Sequence, residues 1–228
     1  MQRSFIRWIT ERKFEAKMRR LPVYLLVDTS GSMKGEPIAA ANNGLQAMIA
    51  TLKQDPFALE SVYISVITFD REVNEVLPLT ELETLQAPIL VTPESGPTLM
   101  GKALDVLMQK IDHDVVKNCP EQKGDWRPLL FVITDGKPSD KAVYKEMTEK
   151  IKNYKFAAIV ACAAGQDAQT EPLKSLTEHV YTLATMDGAS FTQFFKWVSQ
   201  SIAQGTTKGT SSSSIMLPPP PSEMSVVF

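Results

Sequence analysis

Four apolar runs decide most of what this chain can fold into: residues 23–27, 62–69, 129–133 and 156–163. Each is continuous, or nearly so, in aliphatic and aromatic side chains, whereas a strand with one wet face would alternate. Between the runs the period changes. Ile38, Ala41, Leu45, Met48, Ile49 and Leu52 form a helical stripe. So do Leu104, Leu107, Met108 and Ile111, then Val143, Met147 and Ile151, then Phe191, Phe194, Phe195, Val198 and Ile202. A weaker strand is expected at 180–183. Another, at 73–77, follows Phe69 after the short polar turn "DRE" and should return antiparallel. Strands alternating with helices imply an α/β fold: a doubly wound, Rossmann-like open sheet, mostly parallel with one antiparallel edge strand, helices on both faces.

A length of 228 residues suits one such domain. The body is expected at 21–204, preceded by a basic extension, 1–20, and followed by a flexible Ser/Pro-rich tail, 205–228. Met18 offers an alternative start inside the extension. The four prolines at 218–221 favour polyproline II, and Val226, Val227 and Phe228 leave a docking role open for the tail's end. The first 20 residues carry a net charge of +5, so the remainder sums to −7. An acidic body speaks against sequence-independent nucleic-acid binding, which needs basic surface. No apolar run approaches the roughly 20 residues of a membrane span, and no secretory pattern opens the chain, so cytoplasm is the expected compartment. Cys119 and Cys162 form no CxxC pair and read as two reduced structural thiols.

The candidate site lies in "YLLVDTSGSMKGEP", residues 24–37, where the first apolar run ends in Asp28, Ser30 and Ser32. In open α/β sheets, ligands collect beyond the carboxyl ends of the strands, where strand order reverses. Asp135, in "LLFVITDGKP", ends another central run and would face Asp28 if the two strands are neighbours. Thr98, in "ESGPTLMG", stands at the start of a helix, as an N-cap or as a hydroxyl ligand. Singly, each hydroxyl reads as a cap or turn residue and each aspartate as a turn former. Jointly, two carboxylates in one crevice repel each other unless a cation sits between them. The set is all oxygen, which suits hard cations such as Mg²⁺, Mn²⁺ or Ca²⁺.

DxSxS with a later Thr and a later Asp resembles the metal-ion-dependent adhesion site of von Willebrand factor type A domains, over roughly residues 21–203. The resemblance implies that Asp28, Ser30, Ser32, Thr98 and Asp135 hold Mg²⁺ (or Mn²⁺/Ca²⁺). It implies hydroxyls bound directly, aspartates acting partly through water, and an Asp or Glu from a protein partner completing the octahedron. The segments "LPVYLLVDTSGSMKGEPI" and "DPFALESVYISVITFDREV" and the proline-rich end are further similar to TerY-type proteins of bacterial tellurium-resistance clusters. That likeness implies an intracellular stress-response role beside a PP2C-like phosphatase and a protein kinase, and it leaves residues 1–17 outside the pattern.

Enzyme readings fit less well. A phosphohydrolase of the haloacid dehalogenase type would use Asp28 as nucleophile, but it needs a second Asp two residues on, where Ser30 stands. No stretch fits G-x-S-x-G, "GSMKGE" lacks the spacing of a P-loop, and only His113 and His179 are available as histidine bases.

Overall fold

The computed structural model describes residues 19–93, 96–120, 123–135, 137–166, 168–208 and 216–227. Seven strands form one sheet: β1 (Leu21–Asp28), β2 (Val62–Phe69), β3 (Val73–Glu81), β4 (Leu129–Thr134), β5 (Ala158–Ala164), β6 (His179–Leu183) and β7 (Met224–Val227). Their order is β3-β2-β1-β4-β5-β6-β7. The five central strands run parallel, and β3 and β7 are antiparallel edges. Because β2 lies on one side of β1 and β4 on the other, the strand order reverses between β1 and β4. Their carboxyl ends frame the crevice.

Alternate residues of β1 feed two cores. Leu21, Val23, Leu25 and Val27 pack beneath α1 (Glu36–Leu52), α2 (Pro56–Ser61) and α6 (Gly188–Lys208). Tyr24 and Leu26 pack beneath α3 (Met100–Asp114), α4 (Lys141–Ile151) and α5 (Glu171–Lys174). All eight residues of β1 are buried, which accounts for its unbroken apolar sequence. On the second face α3 and α4 approach closely: a Cβ on Gly101 would stand 2.4 Å from the Tyr144 backbone nitrogen. Only glycine permits that crossing. Among the described residues, no helix is long and apolar enough to cross a membrane.

Four expectations change. The sheet has two antiparallel edges rather than one, because Met224–Val227 pairs with β6. The segment expected to be a flexible tail from 205 is therefore partly built into the domain. The helix α6 runs on to Lys208, the Trp197 indole N–H donates to the Pro218 carbonyl at 3.0 Å, Leu217 packs on the core and Met224 is buried. On α4 the buried face is Tyr144, Met147, Thr148 and Ile151, with Val143 exposed, since the helix turns its tyrosine toward α5 and bonds the Pro172 carbonyl. Phe156 precedes β5 rather than opening it. The possible start at Met18 lies outside the described residues. Arg19 and Arg20 tie the entry to β1: Arg19 donates to the Gly124 and Asp125 carbonyls, and Arg20 forms a two-pronged pair with the Asp125 carboxylate at 2.8 and 2.5 Å.

Candidate metal centre

The centre is built where β1, β2 and β4 end. Asp28 is fully buried, and both its oxygens are held: Oδ1 accepts the Ser30 backbone N–H at 2.8 Å, and Oδ2 accepts the Thr134 hydroxyl at 2.6 Å. Burial pushes its carboxyl up to about 6, and the Asp135 charge adds to the rise against the hydrogen bonds from Thr134 and Ser30. Asp135 directly follows β4, the strand paired beside β1, so the two aspartates stand at neighbouring strand ends.

After Asp28 the chain makes a 3-10 turn, Gly31–Met33, and Gly35 then takes a positive φ of 88° to lead into α1. Ser30 occupies the N-cap position of that turn yet caps nothing with its side chain. Its hydroxyl instead lies 3.2 Å from the exposed Ser32 hydroxyl. Adjacent ligands on an octahedral ion stand about 2.9 Å apart for Mg²⁺ and about 3.3–3.7 Å for Ca²⁺, and the pair falls between the two. Thr98, also buried, is not the cap that its position suggested. The α3 amides of Gly101 and Lys102 are capped at 3.1 and 2.9 Å by the Asp140 carboxylate, which arrives from the loop before α4. The Thr98 backbone is clasped by Ser139, whose hydroxyl accepts the Thr98 N–H at 3.0 Å and whose own N–H donates to the Thr98 carbonyl at 2.9 Å.

Whether a cation fits here is answered by Asp135. Its Oδ1 is buried with no hydrogen-bond partner, an arrangement that costs free energy unless a positive group faces it. Among the described residues, no three His, Cys, Asp or Glu side chains converge as a metal cluster, so a cation in this crevice would have to draw on hydroxyls. His113 lies in the last turn of α3 and His179 opens β6, both away from the strand carboxyl ends that frame the crevice. Cys162 is buried in β5 and its thiol is pushed up by burial, away from reactivity.

Sequence reasoning passed over Asp70. It follows β2 as Asp135 follows β4, and that shared position at a strand's carboxyl end was the available signal. Its Oδ2 accepts the Thr29 hydroxyl at 2.7 Å, its Oδ1 accepts the Glu72 N–H at 3.0 Å, and its carbonyl accepts the Leu99 N–H at 3.0 Å. Asp70 thus joins the loop after β1 to the loop that carries Thr98. Asp70→Ala should orphan a buried hydroxyl and loosen the turn, costing about 2–3 kcal/mol. The expected readout is a melting midpoint lower by about 5–10 °C, and an unchanged midpoint would refute this positioning role.

A family model described as the von Willebrand factor type A domain matches residues 23–197. No curated protein matches the chain in sequence. Among solved structures, one described as von Willebrand factor type A from Catenulispora acidiphila superposes with a TM-score of 0.63 at 16% identity, covering 82% of this chain and 43% of that one. The pilus adhesin SpaC from Lactobacillus rhamnosus GG gives 0.65 at 12% identity, over 82% and 31%. Proximal thread matrix protein 1 from the mussel byssus, described with a zinc-occupied MIDAS motif, gives 0.57 at 15%, over 81% and 48%. The chain spans less than half the length of each of these three.

Proposed function

Because the chain belongs to the von Willebrand factor type A domain family, we propose that it is a divalent-metal-dependent protein-interaction module. The metal would be held by Asp28, Ser30, Ser32, Thr98 and Asp135. The observation that carries this reading is the unpartnered, buried Oδ1 of Asp135, set in the same crevice as buried Asp28 and the paired serine hydroxyls. When bound, the ion supplies an electrophilic position that accepts a carboxylate. The chain's own residues hold that ion with few direct charges: the Thr134 hydroxyl and the Ser30 amide fix the Asp28 carboxylate, and Ser139 and Asp70 hold the Thr98 loop. With little negative charge spent on it, the ion keeps its attraction for an Asp or Glu of a partner.

The oxygen-only donor set favours Mg²⁺, Mn²⁺ or Ca²⁺, and the zinc in the mussel protein's site supports a divalent ion in general. The finer reading places the chain in the cytoplasm, in a bacterial tellurium-resistance or stress-response system with a PP2C-like phosphatase and a protein kinase. It rests on the segment resemblance and is proposed on that ground alone. The competing phosphohydrolase reading makes Asp28 a nucleophile. Asp28 is fully buried, which leaves its carboxylate no open line of attack on a substrate phosphorus and supports the non-enzymatic reading.

Thr98→Ala tests the proposal without changing charge. The fold should survive, since Asp140 rather than Thr98 caps α3. Capture of a PP2C-like phosphatase or protein kinase partner should fall by tenfold or more, as it should with chelator. Capture unchanged by both treatments would sink the proposal, and so would Asp28-dependent phosphoester turnover by the purified chain.

A further inference from the structure

Beside the metal centre the fold holds three apolar side chains out of its core. Leu90 is clamped by the Asn42 amide on α1, which donates to the Leu90 carbonyl at 2.8 Å and accepts the Leu90 N–H at 2.7 Å. Leu90 itself is buried, whereas its two neighbours stand outward: Ile89 is 76% exposed and Val91 72%. Scattered exposed apolar residues are ordinary, but these two converge with Val76 of β3 on a single cavity of about 560 Å³. Thr68 and Asn74 also line it, and Asp70, Arg71 and Glu72 line the side where β2 ends, next to the metal centre. The outer edge of β3 is unpaired within the sheet. Arg71 is exposed and has no ion-pair partner among the described residues. It lies against the Thr98 loop at Gly96, where a Cβ would stand 3.3 Å from its Cβ and Nε.

We propose that this groove is the second half of the partner's docking surface and takes an extended protein segment in which an acidic residue is followed closely by aliphatic side chains. The proposal rests on the reading of the metal centre given above. The acidic residue meets the metal, Arg71 offsets the Asp70 and Glu72 carboxylates between metal and groove, and the aliphatic side chains cover Val76, Ile89 and Val91. Continuity through Asp70 and Arg71 ties the groove to the site that demands a carboxylate, which is why the occupant is a partner segment rather than a second copy of the chain.

The probe is a phage-displayed library of random octapeptides, selected on the full chain in Mg²⁺ buffer. Enriched peptides are then synthesised and titrated against wild type, Ile89→Ser/Val91→Ser and Asp135→Asn. Enriched peptides should pair Asp or Glu with nearby Leu, Ile or Val. The groove double variant should bind them about 30-fold more weakly, while its Mg²⁺ affinity, measured by calorimetry, stays at the wild-type value. If the double variant melts lower than wild type, Val91→Ser alone replaces it, with an expected loss of about fivefold. Peptides that share an acidic residue but no apolar one, or that bind the groove variant as well as wild type, overturn the groove and leave the metal reading standing. Peptides that bind equally with chelator and to Asp135→Asn overturn the metal reading, and with it the continuity on which this occupant rests. An empty selection overturns the proposal. So does wild-type self-association in sedimentation that the groove variant abolishes, because the occupant is then a second copy.

Discussion

Asp135→Asn is expected to weaken Mg²⁺ or Mn²⁺ binding by about 100-fold or more, at no cost to the metal-free fold. Outer partners of metal ligands alone are worth about 10–100-fold in affinity, and a carboxylate that faces the ion should be worth at least as much. The substitution is nearly isosteric. It also removes the Asp135 charge, a minor addition to the rise that burial imposes on the Asp28 carboxyl, so the metal-free variant should melt at or slightly above the wild-type temperature. The measurement is a pair of thermal melts with and without metal. At a metal concentration 100 times its dissociation constant, wild type gains about 2.7 kcal/mol, or about 5–10 °C for a domain of this size. A variant bound 100-fold more weakly gains about 0.4 kcal/mol at the same concentration, about 1 °C. Equal shifts in the two proteins would mean that the ion lies elsewhere.

Removing residues 216–228 is expected to lower the melting midpoint by about 10–15 °C. The deletion takes away β7, uncovers Tyr181 and Leu183 on β6, and removes Met224 and Leu217 from the core. It also leaves the Trp197 indole, whose ring packs 5.0 Å from Tyr181, without its Pro218 acceptor. Burial of Met224 and Leu217 and the lost hydrogen bond together come to about 4–5 kcal/mol. At about 2–4 °C per kcal/mol this gives the stated shift. A change under about 3 °C would show that the entropy of ordering the segment cancels its contacts, and that the domain is complete at α6.

The central strands and the helices on both faces were legible in the chain because burial on two faces demands unbroken apolar runs, and burial on one face of a helix demands a 3.6-residue stripe. Local chemistry also carried the candidate ligands. Asp28, Ser30 and Ser32 lie within five residues, and Asp135 ends a run of the same kind. The seventh strand was not legible. Met224–Val227 is short and polar at one position, and it follows a serine and proline stretch that reads as linker. It is a strand because β6 offers it an open edge and Trp197 offers it an anchor. Tyr144, not Val143, faces the core for a similar reason: α5 supplies the acceptor that lets the hydroxyl approach burial.

The supports of the site divide along the same line. Residue type and spacing determined which oxygens could meet a cation. Only the tertiary structure decided what holds them, because Asp70 with Thr29, Thr134 with Asp28 and Asp140 with Gly101 are separated by 41, 106 and 39 residues in the chain. Strand order brings the first two pairs together. Placing β2 and β4 on either side of β1 sets three strand ends side by side, and no local pattern encodes that adjacency.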